Sequence, residues 1–218
     1  MALNLKNQSP LMLVLWGLLL ALSLIALILG RYSMAFVALA TFGLSLAPNL
    51  LASRFKIKLP VPFVVAITVF LFATVFLGEA FDFYERFWWW DLALHASSAV
   101  GFGLTGFLFA FMLFEGDRFA APHWALAFIA FSVAMTTGAL WEVFEFAMDS
   151  LFSLNMQKTG LDDTMGDLIV NAIGGAIGSF AGYLYLEGSD KGLLAQPIRQ
   201  FVALNRRLYQ KSRNRLRK

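Results

Sequence analysis

The sequence predicts an all-α protein, a polytopic transmembrane helical bundle of six spans. Three observations carry that prediction. Of the 218 residues, 59% are hydrophobic and 14% charged, well above the apolar share of about 45 to 50% found in soluble domains. Several stretches approach or exceed the roughly 18 apolar residues that mark a spanning helix, and the two-residue alternation of a transmembrane barrel is absent. The stretches are rich in Leu, Ala, Phe and Val with little turn chemistry inside them. Helices follow, because the bilayer core offers no partner to open backbone groups. The chain has no cysteine, which removes disulfides, thiolate metal sites and cysteine nucleophiles.

The spans read as Leu11 to Leu29, Met34 to Ala52, Val61 to Gly78, Asp91 to Phe114, Trp124 to Met148 and Thr164 to Glu187. The first has a longer apolar core than a secretory signal and no small-residue cleavage pattern after it, so it is expected to stay as an anchor. Residues 1–190 are expected to form one six-helix transmembrane domain and residues 191–218 a basic cytoplasmic tail. Lysine and arginine counting orients the chain. With the N-terminus inside, Lys6, Arg54, Lys56, Lys58, Arg118 and the tail from Lys191 onward place 14 of the 17 basic residues on one side. Arg31, Arg86 and Lys158 remain opposite. The positive-inside rule then puts both termini in the cytoplasm, and Trp88, Trp89 and Trp90 at the outer interface as anchoring aromatics.

Polar motifs interrupt the last three spans. The fourth opens with Asp91-x-x-x-His95, the fifth closes with Trp141-Glu142-x-x-Glu145, and the sixth is entered through Asp162-Asp163-x-x-x-Asp167-x-x-x-Asn171. Spacings of three and four put each set on one helix face. Alternating direction brings all three within about two turns of the outer surface, at 5.4 Å per turn. Ionisable side chains inside a membrane cost about 2.5 to 3.5 kcal/mol each at the centre of a span, so they usually face protein or water and mark function. The outer half carries Glu79, Asp82, Glu85, Asp91, Glu142, Glu145, Asp149, Asp162, Asp163 and Asp167 against three fixed cations. Such a cluster takes up protons or binds a cation. A divalent ion held by Asp91, His95, Glu142, Glu145, Asp163 and Asp167 meets the deficit. Oxygen-rich ligation favours Mg, Ca or Mn, and the imidazole admits Zn or Fe.

The zinc-protease pattern H-E-x-x-H and the paired E-x-x-H sets of ferritin-like di-iron bundles are missing. Ser97 and Ser98 beside His95 read as packing residues, and His123 as an interfacial residue. Gly174, Gly178 and Gly182, with Gly175 beside them, make a groove for close helix approach within the bundle or across a homo-oligomer, with Gly101, Gly103 and Gly106 as facing positions. In the tail, Arg199, Arg206, Arg207, Lys211, Arg213, Arg215, Arg217 and Lys218 interleave with Ile198, Phe201, Leu204, Leu208 and Tyr209. That is the pattern of an amphipathic helix on anionic inner-leaflet lipids, at about 1 kcal/mol per basic residue. Nucleic acid is the weaker alternative for a segment adjoining a membrane span.

At Asp91-x-x-x-His95, Trp141-Glu142-x-x-Glu145 and Asp163-x-x-x-Asp167-x-x-x-Asn171-x-x-Gly174 the sequence resembles the YjdF-like family of bacterial inner-membrane proteins and, more distantly, VanZ-like proteins. The resemblance covers about residues 65 to 185. It implies an integral inner-membrane protein with these residues as its site, and no particular substrate. Glu145 stands where the VanZ-like pattern usually has Gln, so the link of those proteins to glycopeptide resistance is not carried over.

The function expected from the residues is a cation-dependent hydrolase or transferase acting on an envelope lipid or lipid-linked precursor. His95, Asp91, Glu142, Glu145 and Asp167 would hold the ion or activate water, with Asp163 assisting and Asn171 orienting a neighbour. The alternatives are an ion- or proton-coupled transporter, in which the acids form a relay, and a noncatalytic scaffold with a structural ion. Against a relay, spans four to six carry no ionisable residue in their inner halves before Glu115 and Glu187.

Overall fold

A computed structural model describes residues 9–114, 121–189, 192 and 194–209. Lys6, Glu115, Arg118, Lys191 and the tail positions 211–218 named above lie outside the described residues. The described chain is helical, without strands: α1 Pro10–Ile28, α2 Tyr32–Arg54, α3 Val61–Leu71 running on as a π-helix over Phe72–Ala80, α4 Phe83–Arg86, α5 Trp90–Leu113, α6 His123–Phe152, α7 Leu161–Leu186, α8 Ala195–Leu204 and a 3-10 turn at Arg206–Leu208. Six helical stretches, counting Val61–Ala80 as one, are long and apolar enough to cross a membrane. They coincide with the six expected spans to within four residues at either end.

Burial supports that reading. Phe128, Phe146, Ile169, Ile173, Ile177 and Phe180 are exposed, while His95, Glu142, Glu145, Asp167 and Asn171 are buried. Water-soluble domains keep charged side chains outside and most large apolar ones inside. The inverse arrangement belongs in hydrocarbon, where apolar surface needs no cover and polar groups must be enclosed.

The chain divides into two compact units, Met1–Trp90 and Asp91–Lys218. In the first, α1, α2 and the third span pack through Met12, Trp16 and Val64 at one level and Leu19, Ala38 and Phe76 at another. Trp16 donates from Nε1 to Ser45 Oγ at 2.8 Å. The buried hydroxyls of Thr41, Ser45 and Thr68 return to their own helices by donating to Val37, Phe42 and Val64 carbonyls. The third span widens into a π-helix, a form seen mostly as short insertions in α-helices. Asp82 then ends it at a left-handed φ of 54°. Gly78 makes room for the Tyr84 ring, which a Cβ at that position would strike.

In the second unit, glycines set the helix spacing. A Cβ at Gly174 would strike the Ala96 carbonyl, one at Gly178 the Val100 carbonyl, and one at Gly182 the Phe107 ring. Contact positions rise together along both chains, so α5 and α7 run parallel and their backbones nearly touch. Gly103 meets Gly178 and Ser179 across this seam, whereas Gly106 faces Ala130 and Val133 of α6 and Gly101 has nothing within 4 Å. Of the three glycines expected to face the last span, one does. Gly175 meets Ala134 and Phe131, and Gly138 of α6 meets Asn171 one turn earlier on α7, so α6 lies antiparallel to α7 on its other side.

The start of the tail folds back onto the unit. Ala195 and Ile198 of α8 are buried. The Tyr209 ring lies 5.4 Å from that of Phe111, and its hydroxyl donates to the Leu108 carbonyl at 3.3 Å. Arg199, Arg206 and Arg207 are exposed.

Candidate functional site

The site lies where α5 and α7 begin and α6 ends, inside the second unit. Asp91 and His95 are one turn apart on α5, Glu142 and Glu145 one turn apart on α6, and Asp163, Asp167 and Asn171 occupy successive turns of α7. The glycine seam between α5 and α7 holds the first and third sets together, and α6 closes the third side.

His95 is at the centre. Its Nε2 lies 3.6 Å from Asp91 Oδ1 and 4.0 Å from Asp167 Oδ2, and its Nδ1 lies 3.7 Å from Glu142 Oε1. Asn171 reaches the same Nδ1 through its side-chain amide at 3.5 Å. The three carboxylate separations are longer than hydrogen bonds, which run at about 2.7 to 3.2 Å for N–H···O, and they suit groups that share an ion or a water. One atom each from His95, Glu142 and Asp167 forms a set within 4.8 Å of one another, and one each from Asp91, Asp163 and Asp167 forms a second. Asp167 belongs to both.

Glu142 and Asp167 are buried, at 5% and 1% exposure, and none of their four carboxylate oxygens accepts a hydrogen bond among the described residues. Thr164 and Gln157, joined to each other at 2.7 Å, stand near Glu142 but outside hydrogen-bond geometry. An unsatisfied buried polar group costs about 1 to 3 kcal/mol, more when charged. Neighbouring acids show what satisfaction looks like here: Glu145 accepts from Trp141 Nε1 at 2.8 Å, and Asp149 accepts from the backbone amides of Met156 and Gln157 at 2.8 and 2.9 Å.

All the residues expected to form the site are at this end of the unit. Asp91, His95, Glu142, Asp163 and Asp167 contribute atoms to the two sets. Glu145 is buried beside them with its carboxylate turned to Trp141, and it joins neither set. Asp162 points outward and is exposed. Ser97 and Ser98 donate to the Leu94 and His95 carbonyls of their own helix, in keeping with a packing role. His123 sits at the opposite end of α6, where its Nδ1 is 2.7 Å from Glu187 Oε1. That hydrogen bond holds the Glu187 carboxyl below the usual carboxylate range.

Two contributors, Lys158 and Gly138, escaped the sequence. Lys158, counted only as an outer cation, places Nζ 3.8 Å from Asp91 Oδ2. The α6–α7 loop brings it there, tied down by Asp149 and closed by Gly160 at a φ of 69°. Gly138 on α6 leaves the space that the Asn171 amide fills, which a Cβ would take. Asp149, seven residues before Met156, was the legible signal for the loop that carries Lys158, since short acidic side chains often cap nearby backbone amides.

An uncharacterized protein of Thermotoga maritima is 36% identical over 99 residues. The match covers 45% of this chain and about half the length of that relative. No solved structure matches. The model of a predicted-membrane-protein family, DUF2238, matches residues 11–188, a stretch that contains every span and every residue of the site. The chain belongs to the DUF2238 family of predicted membrane proteins.

Proposed function

We propose that the protein is a membrane-embedded, cation-dependent hydrolase or transferase whose site opens to the outer leaflet and acts on an envelope lipid or lipid-linked precursor. The observation that carries the reading is the pair of buried carboxylates, Glu142 and Asp167, whose four oxygens lack hydrogen-bond partners among the described residues while converging with a histidine. A bound divalent ion lowers the pKa of its water and polarises a phosphoryl or carbonyl oxygen.

The residues supply the rest. His95 would hold the ion with Glu142 and Asp167, and Glu145, which joins neither set, is the carboxylate left to take a proton from attacking water and return it to the departing oxygen. The bond made joins the water oxygen to phosphorus or to a carbonyl carbon, and the bond broken joins that atom to the leaving oxygen. Asn171 fixes the imidazole ring. Lys158 at the rim suits the anionic part of a headgroup.

Orientation belongs to the same proposal. The basic residues place both termini in the cytoplasm and the site outside, with Arg199, Arg206 and Arg207 on the anionic inner leaflet. The YjdF-like resemblance agrees with this membrane and this residue set, and the more distant VanZ-like one shares the Asp, His and Asn pattern. The seam of Gly174, Gly178 and Gly182 against α5 favours an enzyme over a transporter, because tight backbone contact beneath the acids leaves little room for a polar path.

The test is lipid turnover by the full chain in nanodiscs of bacterial envelope lipids, with Mg or Mn supplied and products followed by mass spectrometry. Headgroup or carrier release that falls by at least about a hundredfold in His95→Ala and Glu142→Gln supports the reading. Release that is the same in both variants as in the parent protein rejects it.

A further inference from the structure

We infer that the site binds two divalent cations, bridged by the Asp167 carboxylate. The inference rests on the cation-dependent reading above and adds to it a stoichiometry and a division of labour. Two ligand sets are present, His95 with Glu142 and Asp167, and Asp91 with Asp163 and Asp167, and each gathers its donor atoms within 4.8 Å. Across one ion, opposite ligands stand about 4.2 Å apart for Mg and about 5 Å apart for Ca. Each set therefore already has the dimensions of one coordination sphere. The two differ in chemistry, one holding an imidazole and the other oxygen donors alone.

Asp167 is the decisive residue. It belongs to both sets, it is 1% exposed, and both Oδ1 and Oδ2 lack hydrogen-bond partners among the described residues. A carboxylate binding one ion through one oxygen would leave the other oxygen orphaned in the interior. A bridging carboxylate satisfies both, as in paired-ion sites with metals about 3.5 to 4 Å apart.

Charge points the same way. Asp91, Glu142, Glu145, Asp163 and Asp167 gather at this end of the unit, and among the described residues Lys158 is the fixed cation that reaches them. One divalent ion leaves a net deficit of two charges in a low-dielectric enclosure. Two ions close it. The pair would set one ion against the attacking water and the other against the departing oxygen of the lipid.

The experiment uses the full chain purified in detergent, dialysed to equilibrium against Mn2+ alone. Manganese per chain is measured by elemental analysis, and the spin state by electron paramagnetic resonance. Two Mn per chain with a spin-coupled spectrum is the expected result. Asp163→Asn should reduce the content to one Mn with an uncoupled six-line spectrum, and Asp167→Asn should lose at least one ion and all coupling. A single uncoupled Mn in the parent protein overturns the paired site and leaves cation dependence standing. No Mn, with none of Mg, Ca, Zn or Fe bound in parallel dialyses against each, overturns both. Two Mn without coupling rejects the bridge. Because the parent protein alone gives stoichiometry and coupling, the test stands even where a variant fails to fold.

Discussion

Substituting Glu142 by Gln should have opposite effects on stability with and without metal. In the metal-free protein Glu142 is a 5% exposed carboxylate whose two oxygens have no hydrogen-bond partner among the described residues, close to His95 and to the carboxylate of Asp167. Removing its charge relieves a penalty of about 1 to 3 kcal/mol. For a chain of 150 to 250 residues, about 2 to 4 °C of melting temperature accompanies each kcal/mol, so the metal-free variant should melt several degrees higher than the parent. With metal at a hundred times its dissociation constant, the parent gains about 2.7 kcal/mol by linkage. The variant, short of a ligand, gains little of it. Thermal unfolding of both proteins in the same detergent, with chelator and then with Mn2+, should therefore show the two exchange rank. A variant less stable than the parent in chelator, yet shifted equally by Mn2+, would refute the reasoning, because Glu142 would then be a satisfied structural group.

Other perturbations reach the site indirectly. Gly178→Ala, which drives a Cβ into the Val100 carbonyl, should cost about 1 to 3 kcal/mol by overpacking and weaken Mn2+ binding by spreading α5 from α7, as read by thermal unfolding and dialysis. Gly138→Ala should displace the Asn171 amide and lower turnover more than Mn2+ content, since Asn171 touches the imidazole ring and belongs to neither ligand set; an equal loss of both would contradict that role. At the other end of α6, Glu187 has a lowered pKa through its bond with His123. The contribution of that bond is present above the ordinary carboxylate range and is lost as pH falls through the lowered value. His123→Ala should return Glu187 to the ordinary range in a carbon-13-detected NMR titration.

The six spans were legible because hydropathy over some twenty residues reports the solvent and is insensitive to packing detail. The site was legible for a related reason: His95, Glu142 and Asp167 stand among residues such as Leu94, Val143 and Leu168, where only a protein or aqueous interior can receive them. Features set by a single contact were not. The π-helix at Phe72–Ala80 follows an ordinary apolar run, and the Tyr84 ring that packs against its Gly78 lies beyond it. Gly138 looks like any small residue in a span until α7 brings Asn171 against it. Lys158 lies 67 residues from Asp91 in sequence, and only the Asp149-anchored loop aims it. Spacing grouped Glu145 with the candidate ligands, yet an indole four residues earlier takes its carboxylate, a competition that helical periodicity cannot rank.

The central claim is that His95, Glu142 and Asp167 together hold a divalent cation. Anomalous scattering from crystals of the Mn2+-loaded protein at the manganese edge tests it most directly. A peak within about 2.5 Å of all three side chains is expected, with a second peak on the Asp91 and Asp163 side of Asp167. Density confined to the protein surface, with these three side chains bonded to one another or to water alone, would contradict it.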